Sequence, residues 1–270
     1  MRLISLKMVD PEYKKLILNC LNGEEIQSRN SLCFRAEDEI SVKLDSTPLV
    51  NSRKTCWKLA LREWEWFMSG SNKLKDLHPS VLAWWEPWQR EGEVWRNYSC
   101  QFRNFAGHES SVDSIDIFIN GIKYNPFSRR NVITTWNTAD MNNEKCPITN
   151  CHGTVIQALV NKDKKLTIKT YQRSADVICG VPHNWIQYWA FMLWICQLTD
   201  TEPGSLIWIG GDVHIYEEHK DLAIKICRVN SNIDTPNLIY KGTSKKFLAD
   251  DFFLDGPYDY ILNEKAKMVV

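Results

Sequence analysis

The chain lacks a charge imbalance: 33 Lys and Arg face 33 Asp and Glu, and the formal net charge is zero. A global basic field for gripping a nucleic acid polymer is therefore absent, and no such partner is expected. Long hydrophobic runs are missing too. The best candidate, Trp185 to Leu198, is interrupted by Gln187 and Gln197 and falls short of a membrane span, so no membrane partner is expected. The first residues, Met1 to Lys7, contain no apolar region of signal-peptide length. Nine cysteines are present, an odd number, and no two have CxxC spacing. Most sit in apolar runs. This argues against a disulfide framework or a zinc site and points to reduced thiols in the cytoplasm. Repeats, low-complexity stretches and linkers are absent.

What the chain does contain is the composition of a globular protein with a sizeable core. Of its 270 residues 44% are hydrophobic and 24% charged, which suits one large domain or two small ones. The twelve tryptophans imply either a dense core or a pocket for flat ligands. Residues 9–23 read as a helix with Tyr13, Leu16, Ile17 and Cys20 on one face. Residues 32–44 alternate weakly, as a strand pair would. Residues 54–68 have helical spacing and end at Ser69-Gly70. Residues 81–105 are aromatic and loop-like, residues 113–122 include a short helix, and Asn131–Trp136 is rich in β-formers. Thr154–Val160 and Leu166–Tyr171 read as strands around a polar turn. An apolar helix covers 184–198. A buried strand, Leu206–Ile209, breaks at Gly210-Gly211, and a last helix lies near 214–228. The sum is one α/β domain over residues 1–270.

Five segments carry chemistry. Asn150-Cys151-His152-Gly153 sets a cysteine beside a histidine just before a strand, the setting of a thiolate nucleophile; a core cysteine is the commoner fate. Tyr171-Gln172-Arg173-Ser174-Ala175-Asp176-Val177 places a guanidinium beside a hydroxyl and a carboxylate. That set holds a phosphate or forms a surface ion pair. Ser128-Arg129-Arg130 adds two adjacent guanidiniums, otherwise a solvated turn. Gly180-Val181-Pro182-His183-Asn184 puts an amide at a helix entrance, where it either caps the helix or reads a uracil edge. Gly210-Gly211-Asp212-Val213-His214-Ile215-Tyr216 permits close backbone approach, with His214 and Tyr216 suited to a sugar hydroxyl. Metal binding by His214 and His219 lacks a third clustered ligand, so no metal is expected.

In this order, these segments resemble the thymidylate synthase family. So do the 27-residue stretch that starts at Ser46 and ends at Asn72, the run SRRNVITTWN from Ser128, and the final KAKMVV. The resemblance runs from about residue 28 to 270. It implies a mixed, mostly antiparallel sheet packed by helices, and a homodimer formed through the sheet face. It implies C5 one-carbon transfer from 5,10-methylenetetrahydrofolate to deoxyuridylate through a cysteine adduct. Carried over by position, Cys151 is the nucleophile, with His152 beside it, Glu63 is the proton-network carboxylate and Tyr98 the active-site tyrosine. Arg29, Arg173 and Ser174 hold the phosphate, together with Arg129 and Arg130 donated across the dimer. Asn184 reads the pyrimidine, Gln172 is a further substrate-binding residue, and His214 and Tyr216 hold the ribose. Trp85, Trp88, Asp176, Gly180 and Val270 meet the folate.

Several positions depart from the family pattern. Asn150 replaces a proline, His183 a phenylalanine and Ser99 a glycine. Arg29-Asn30-Ser31 stands for Arg-Thr-Gly, and Cys151 to Gln157 is one residue longer than usual, which suggests a bulged strand. An aromatic after the base reader, here Trp185, occurs in phage pyrimidine hydroxymethylases, which add water to the exocyclic methylene. A hydroxymethylase is therefore the alternative, and a catalytically inactive nucleotide-binding paralogue a more remote one.

Overall fold

The computed structural model describes residues 9–37, 39–106, 110–141, 143, 146 and 150–269. The helices are α1 (Asp10–Leu21), α2 (Trp57–Ser69), α3 (Leu82–Trp85), α4 (Tyr98–Arg103), α5 (Ser114–Tyr124), α6 (Val181–Thr199) and α7 (Lys220–Arg228). The strands are β1 (Glu24–Gln27), β2 (Leu32–Arg35), β3 (Ile40–Leu44), β4 (Phe105–Ala106), β5 (Ser111–Val112), β6 (Val132–Thr134), β7 (Val155–Val160), β8 (Lys165–Asp176), β9 (Glu202–Tyr216), β10 (Leu238–Tyr240) and β11 (Phe252–Leu254).

Seven strands form the main sheet in the order β1-β2-β9-β8-β7-β6, with β3 also paired to β9. Only β8 and β9 run parallel; the other neighbours are antiparallel. The architecture is thus the mixed α/β sheet packed by helices that the resemblance implies. The β8–β9 pair needs a crossover, and α6 supplies it. This helix is apolar almost all round because it is buried almost all round, between α2 and the sheet. Trp185 meets Trp208 of β9 edge-on at 5.8 Å, and Phe191 meets Trp64 of α2 at 5.7 Å. Gly70, at φ 82°, ends α2 in the left-handed conformation, as Ser69-Gly70 suggests.

The structure corrects five readings. The two glycines do not break a strand. β9 continues through Gly210 and Gly211 to Tyr216, with the space beside them taken by Trp208, Val213, Tyr171 and Arg173. The last helix consequently starts at Lys220, after the short 3-10 turn Glu217–His219. Residues 32–44 do hold two strands, but both pair with β9, which is long enough to take them one after the other. The aromatic region 81–105 contains α3 and α4, too short to show helical periodicity. Asn97 caps α4 by accepting from the Cys100 N–H. Finally, β7 carries no bulge against either neighbour. The extra residue after Cys151 is absorbed in the turn before the strand, where Gly153 takes φ 61°.

Candidate active site

Cys151 leaves the turn before β7 beside the N-terminus of α4. The Tyr98 hydroxyl accepts the Cys151 backbone N–H at 2.9 Å and the His152 N–H at 3.4 Å, and lies 3.0 Å from the Cys151 Sγ. With its lone pairs taken by two N–H groups, the hydroxyl has its own proton left to donate to sulfur. Burial pushes the Cys151 thiol up, while the Tyr98 hydrogen bond and the charge of Arg173 pull it down. The thiol therefore needs those two groups to ionise. Arg173 follows on β8. Its backbone N–H donates to the Cys151 carbonyl at 2.8 Å, its Nε reaches the Asn150 carbonyl at 3.5 Å, and its guanidinium lies over the Trp136 ring.

His152, next to Cys151 in sequence, supplies no charge to it. Its ring lies among Tyr98, Trp64 and Phe67, at 4.4, 6.0 and 5.8 Å, and burial holds its pKa down to about 3. It is a neutral core ring, and only its backbone N–H serves the site.

A second group lies where α6 meets the sheet and α2. Trp208 Nε1 donates to Gln172 Oε1 at 2.8 Å, and Gln172 Nε2 donates to Asn184 Oδ1 at 3.0 Å. Asn184 Nδ2 donates to Gln187 Oε1 at 3.2 Å, and Gln187 Nε2 to Glu63 Oε2 at 2.7 Å. Trp85 Nε1 donates to the other Glu63 oxygen at 2.7 Å. Burial raises Glu63 to about 7, against the effect of its two N–H donors. Asn184 does not cap α6: Gly180 is the cap, and Asn184 sits one turn inside. A side chain on Gly180 would press on the Asp176 carbonyl and on Asn184 Oδ1.

A third group holds the carboxyl-terminal tail. His219 Nε2 donates to the Lys267 carbonyl at 2.8 Å, with the Cys179 thiol at 3.6 Å. Asn30 Nδ2 donates to the Val269 carbonyl at 3.3 Å, and Arg53 bridges Glu264 and Ile178 carbonyls. Asp176 Oδ1 accepts the N–H groups of Ile178 and Cys179, which fixes the carboxylate at the mouth of α6. Asp176, Cys179 and His219 form a group with metal-ligand chemistry, their donor atoms within 4.8 Å of one another. His219 Nε2 and Asp176 Oδ1 are already engaged in the hydrogen bonds just given.

The remaining expected residues are more scattered. His214 Nδ1 donates to Asp212 at 2.8 Å, holding that carboxyl below its ordinary range, and its ring meets Tyr216 at 5.0 Å. Ser174 is half-buried on β8, with its carbonyl accepting from Gln172. Arg29 is exposed, its Nε on Asn30. Arg129 and Arg130 lie exposed on the turn before β6. Trp88 is partly buried against the core. Val270 lies outside the described residues.

With this geometry, the comparisons are decisive. A family model described as Thymidylate synthase matches residues 12–270. The chain belongs to the thymidylate synthase family. A protein named thymidylate synthase from Corynebacterium aurimucosum is 34% identical over 219 residues, 78% of this chain and 80% of its own. One of the same name from Buchnera aphidicola subsp. Acyrthosiphon pisum is 32% identical over 259 residues, 92% of this chain and 96% of its own.

Two departures from the thymidylate synthase pattern acquire a physical meaning. His183 Nε2 accepts the Cys56 N–H at 3.3 Å, so Nδ1 carries the proton and donates to the Cys179 carbonyl at 2.8 Å. Ser99 Oγ donates to the Trp66 carbonyl at 2.8 Å and is fully buried. Sequence reasoning passed over Gln187, Trp208, Arg53 and Trp136. The signal for Gln187 was present: a glutamine inside an apolar helix, three residues after Asn184 and so on the same face.

A hydrogen bond to a charged acceptor is worth roughly 1.5–3 kcal/mol. Tyr98→Phe should therefore raise the pH midpoint of Cys151 alkylation by iodoacetamide by about one unit or more. Mass analysis of the Cys151 peptide isolates this thiol from the other eight. An unchanged midpoint would show that the tyrosine does not assist the thiolate.

Proposed function

We propose that this chain transfers the one-carbon unit of 5,10-methylenetetrahydrofolate to C5 of deoxyuridylate, yielding thymidylate and dihydrofolate, and that residues 1–270 act as one domain. The observation that carries this reading is the Tyr98 hydroxyl aimed at Cys151 Sγ. C5 of uracil is a poor nucleophile. The Cys151 thiolate adds at C6 and turns the ring into an enolate that is nucleophilic at C5. Tyr98 and Arg173 favour the thiolate. Arg173, Arg29 and Ser174 take the phosphate, and His214 and Tyr216 the ribose hydroxyl. Asn184, held by Gln172, donates to O4 and accepts from N3–H. Glu63, with a pKa near neutrality, exists in both forms there and moves protons at O4 and C5.

The residues present fit a folate. The orientation of the Asp176 carboxylate is fixed by two backbone N–H groups, Gly180 lets the chain pass close to the Asp176 carbonyl and Asn184 Oδ1 where a side chain would press on both, and the indole of Trp85 walls the Glu63 side. Trp85, Trp88, Asp176, Gly180 and Val270 would hold it. When bound it supplies the methylene carbon and then a hydride. The tail, fastened by His219, Asn30 and Arg53, excludes bulk water.

Methyl transfer, not hydroxymethylation, is the reading favoured. A captured water needs a polar group to align it with the methylene. Both ring nitrogens of His183 are engaged by backbone groups, and Ser99 is turned to Trp66. Incubation with deoxyuridylate and methylenetetrahydrofolate should give the mass of thymidylate and a dihydrofolate absorbance near ~340 nm, where strong absorption is a general property of that product. The 5-hydroxymethyl nucleotide with tetrahydrofolate left unoxidised would overturn this.

We also infer a symmetric homodimer through the outer face of the sheet. Val132, Val155, Leu159 and Tyr171 stand exposed there on neighbouring strands. The Arg129 carbonyl accepts from Gln157 of that same face, at 3.4 Å, which puts Arg129 and Arg130 at its rim, where they would reach the other subunit's phosphate. Mixed Cys151→Ala and Arg130→Ala subunits should regain activity, because one site in each heterodimer carries neither defect. Heterodimers that form without regaining activity would refute the shared site.

A further inference from the structure

We infer that Gln187 is a positioning residue for this reaction: it fastens Glu63 to the base-reading amide of Asn184 and presents the carboxylate with an N–H that favours its ionised form. The inference rests on the proposed roles of Asn184 and Glu63. Gln187 is fully buried one turn after Asn184 on α6. Its orientation is fixed from outside the pair. The Ala60 carbonyl, which can only accept, takes the Gln187 Nε2 at 2.9 Å, and the same nitrogen donates to Glu63 at 2.7 Å. Oε1 is thereby turned to Asn184 Nδ2. At the far end Trp208 Nε1, which can only donate, fixes Gln172 and through it Asn184 Oδ1. Reversing the Gln187 amide would set N–H against N–H at Asn184 and oxygen against carboxylate at Glu63. The line has one direction of donation, and its two fixed ends agree.

One side chain therefore spans the group that reads O4 and N3 and the group that moves the proton, and no flexible water is needed to register them. The other charged or titratable groups on the packed elements face elsewhere. Lys58 of α2 turns to Asp250 and Arg62 to His78, and Glu65 accepts the Ala249 N–H. Glu86, after α3, is exposed. On α6, His183 is engaged with Cys56 and Cys179 and Tyr188 with Gly153. Tyr98 of α4 turns its hydroxyl to Cys151. The two N–H donors are thus the groups that oppose burial at Glu63.

The sign of the effect follows. A carboxylate acting as proton acceptor is active above its pKa, and activity is lost as pH falls through that value. Removing an N–H donor destabilises the ion and raises the pKa, so the acid limb of kcat/KM moves to higher pH. Gln187→Met should move the limb up by about one unit and lower kcat roughly tenfold, with the KM for deoxyuridylate changed less than about threefold. Gln187→Glu keeps the volume and an acceptor for Asn184, but sets an oxygen against Glu63; its limb should move further. Because it is isosteric, it decides the question if the Met variant does not fold. Acid limbs that coincide with the parent's, or a loss confined to KM, would overturn the inference. Asn184→Asp is the control. A shift toward deoxycytidylate shows that the underlying reading stands and that the Gln187 result is judged on its own. A parent that makes no thymidylate, or an Asn184→Asp variant with unchanged base preference, brings down both.

Discussion

Gln172, Asn184 and Gln187 place three buried amides where α6 meets the sheet, in a layer that is otherwise mostly apolar. An amide withdrawn from water without a partner costs roughly 1–3 kcal/mol. Each of these is oriented to suit the next, and the line of donors ends on Glu63 Oε2, while the other Glu63 oxygen takes the Trp85 N–H. Much of the architecture is arranged around that need. The parallel β8–β9 pair brings Gln172 beside Trp208, the crossover helix brings Asn184 and Gln187 onto one face, and α2 lays Glu63 across them.

The proposed nucleophile is governed by a different balance. Burial opposes ionisation of Cys151, and the ring of the neighbouring histidine, itself neutral through burial, adds no charge, although its backbone N–H helps. The largest opposing effects come from one phenolic proton and one guanidinium, with backbone N–H groups behind them. Both depend on backbone: Tyr98 is set by the capped start of α4, and Arg173 by its N–H bond to the Cys151 carbonyl. The tail region is again separate, fastened by His219, Asn30 and Arg53 over the mouth of α6. Three groups with different physics thus meet at the ends of β8 and α6.

Much of this was legible in the amino-acid order. The helix faces of α1 and α2 follow from Tyr13, Leu16 and Ile17 and from Trp64 and Phe67, all buried as spacing demands. Cys151, Arg173, Asn184 and Glu63 come from motifs. What escaped was what periodicity and motif cannot encode. Gly210-Gly211 reads as a break, since no local rule shows that Trp208 and Tyr171 fill the space beside it. His152 reads as part of the catalytic group because adjacency in sequence says nothing of the aromatic wall around its ring. Gln187 reads as an interruption of an apolar run, because its partner Glu63 lies 124 residues away.

The central claim is that Cys151 adds to C6 of a pyrimidine nucleotide while the folate is held beside it. A fluorine at C5 cannot leave as a proton does, so 5-fluorodeoxyuridylate with methylenetetrahydrofolate should stop the reaction after carbon transfer. Intact and peptide mass spectrometry of that mixture is the most direct test. The account predicts a protein mass increased by the nucleotide and the folate together, carried by the peptide that contains Cys151, and none in Cys151→Ala. No adduct, or an adduct on another of the nine cysteines, would contradict it.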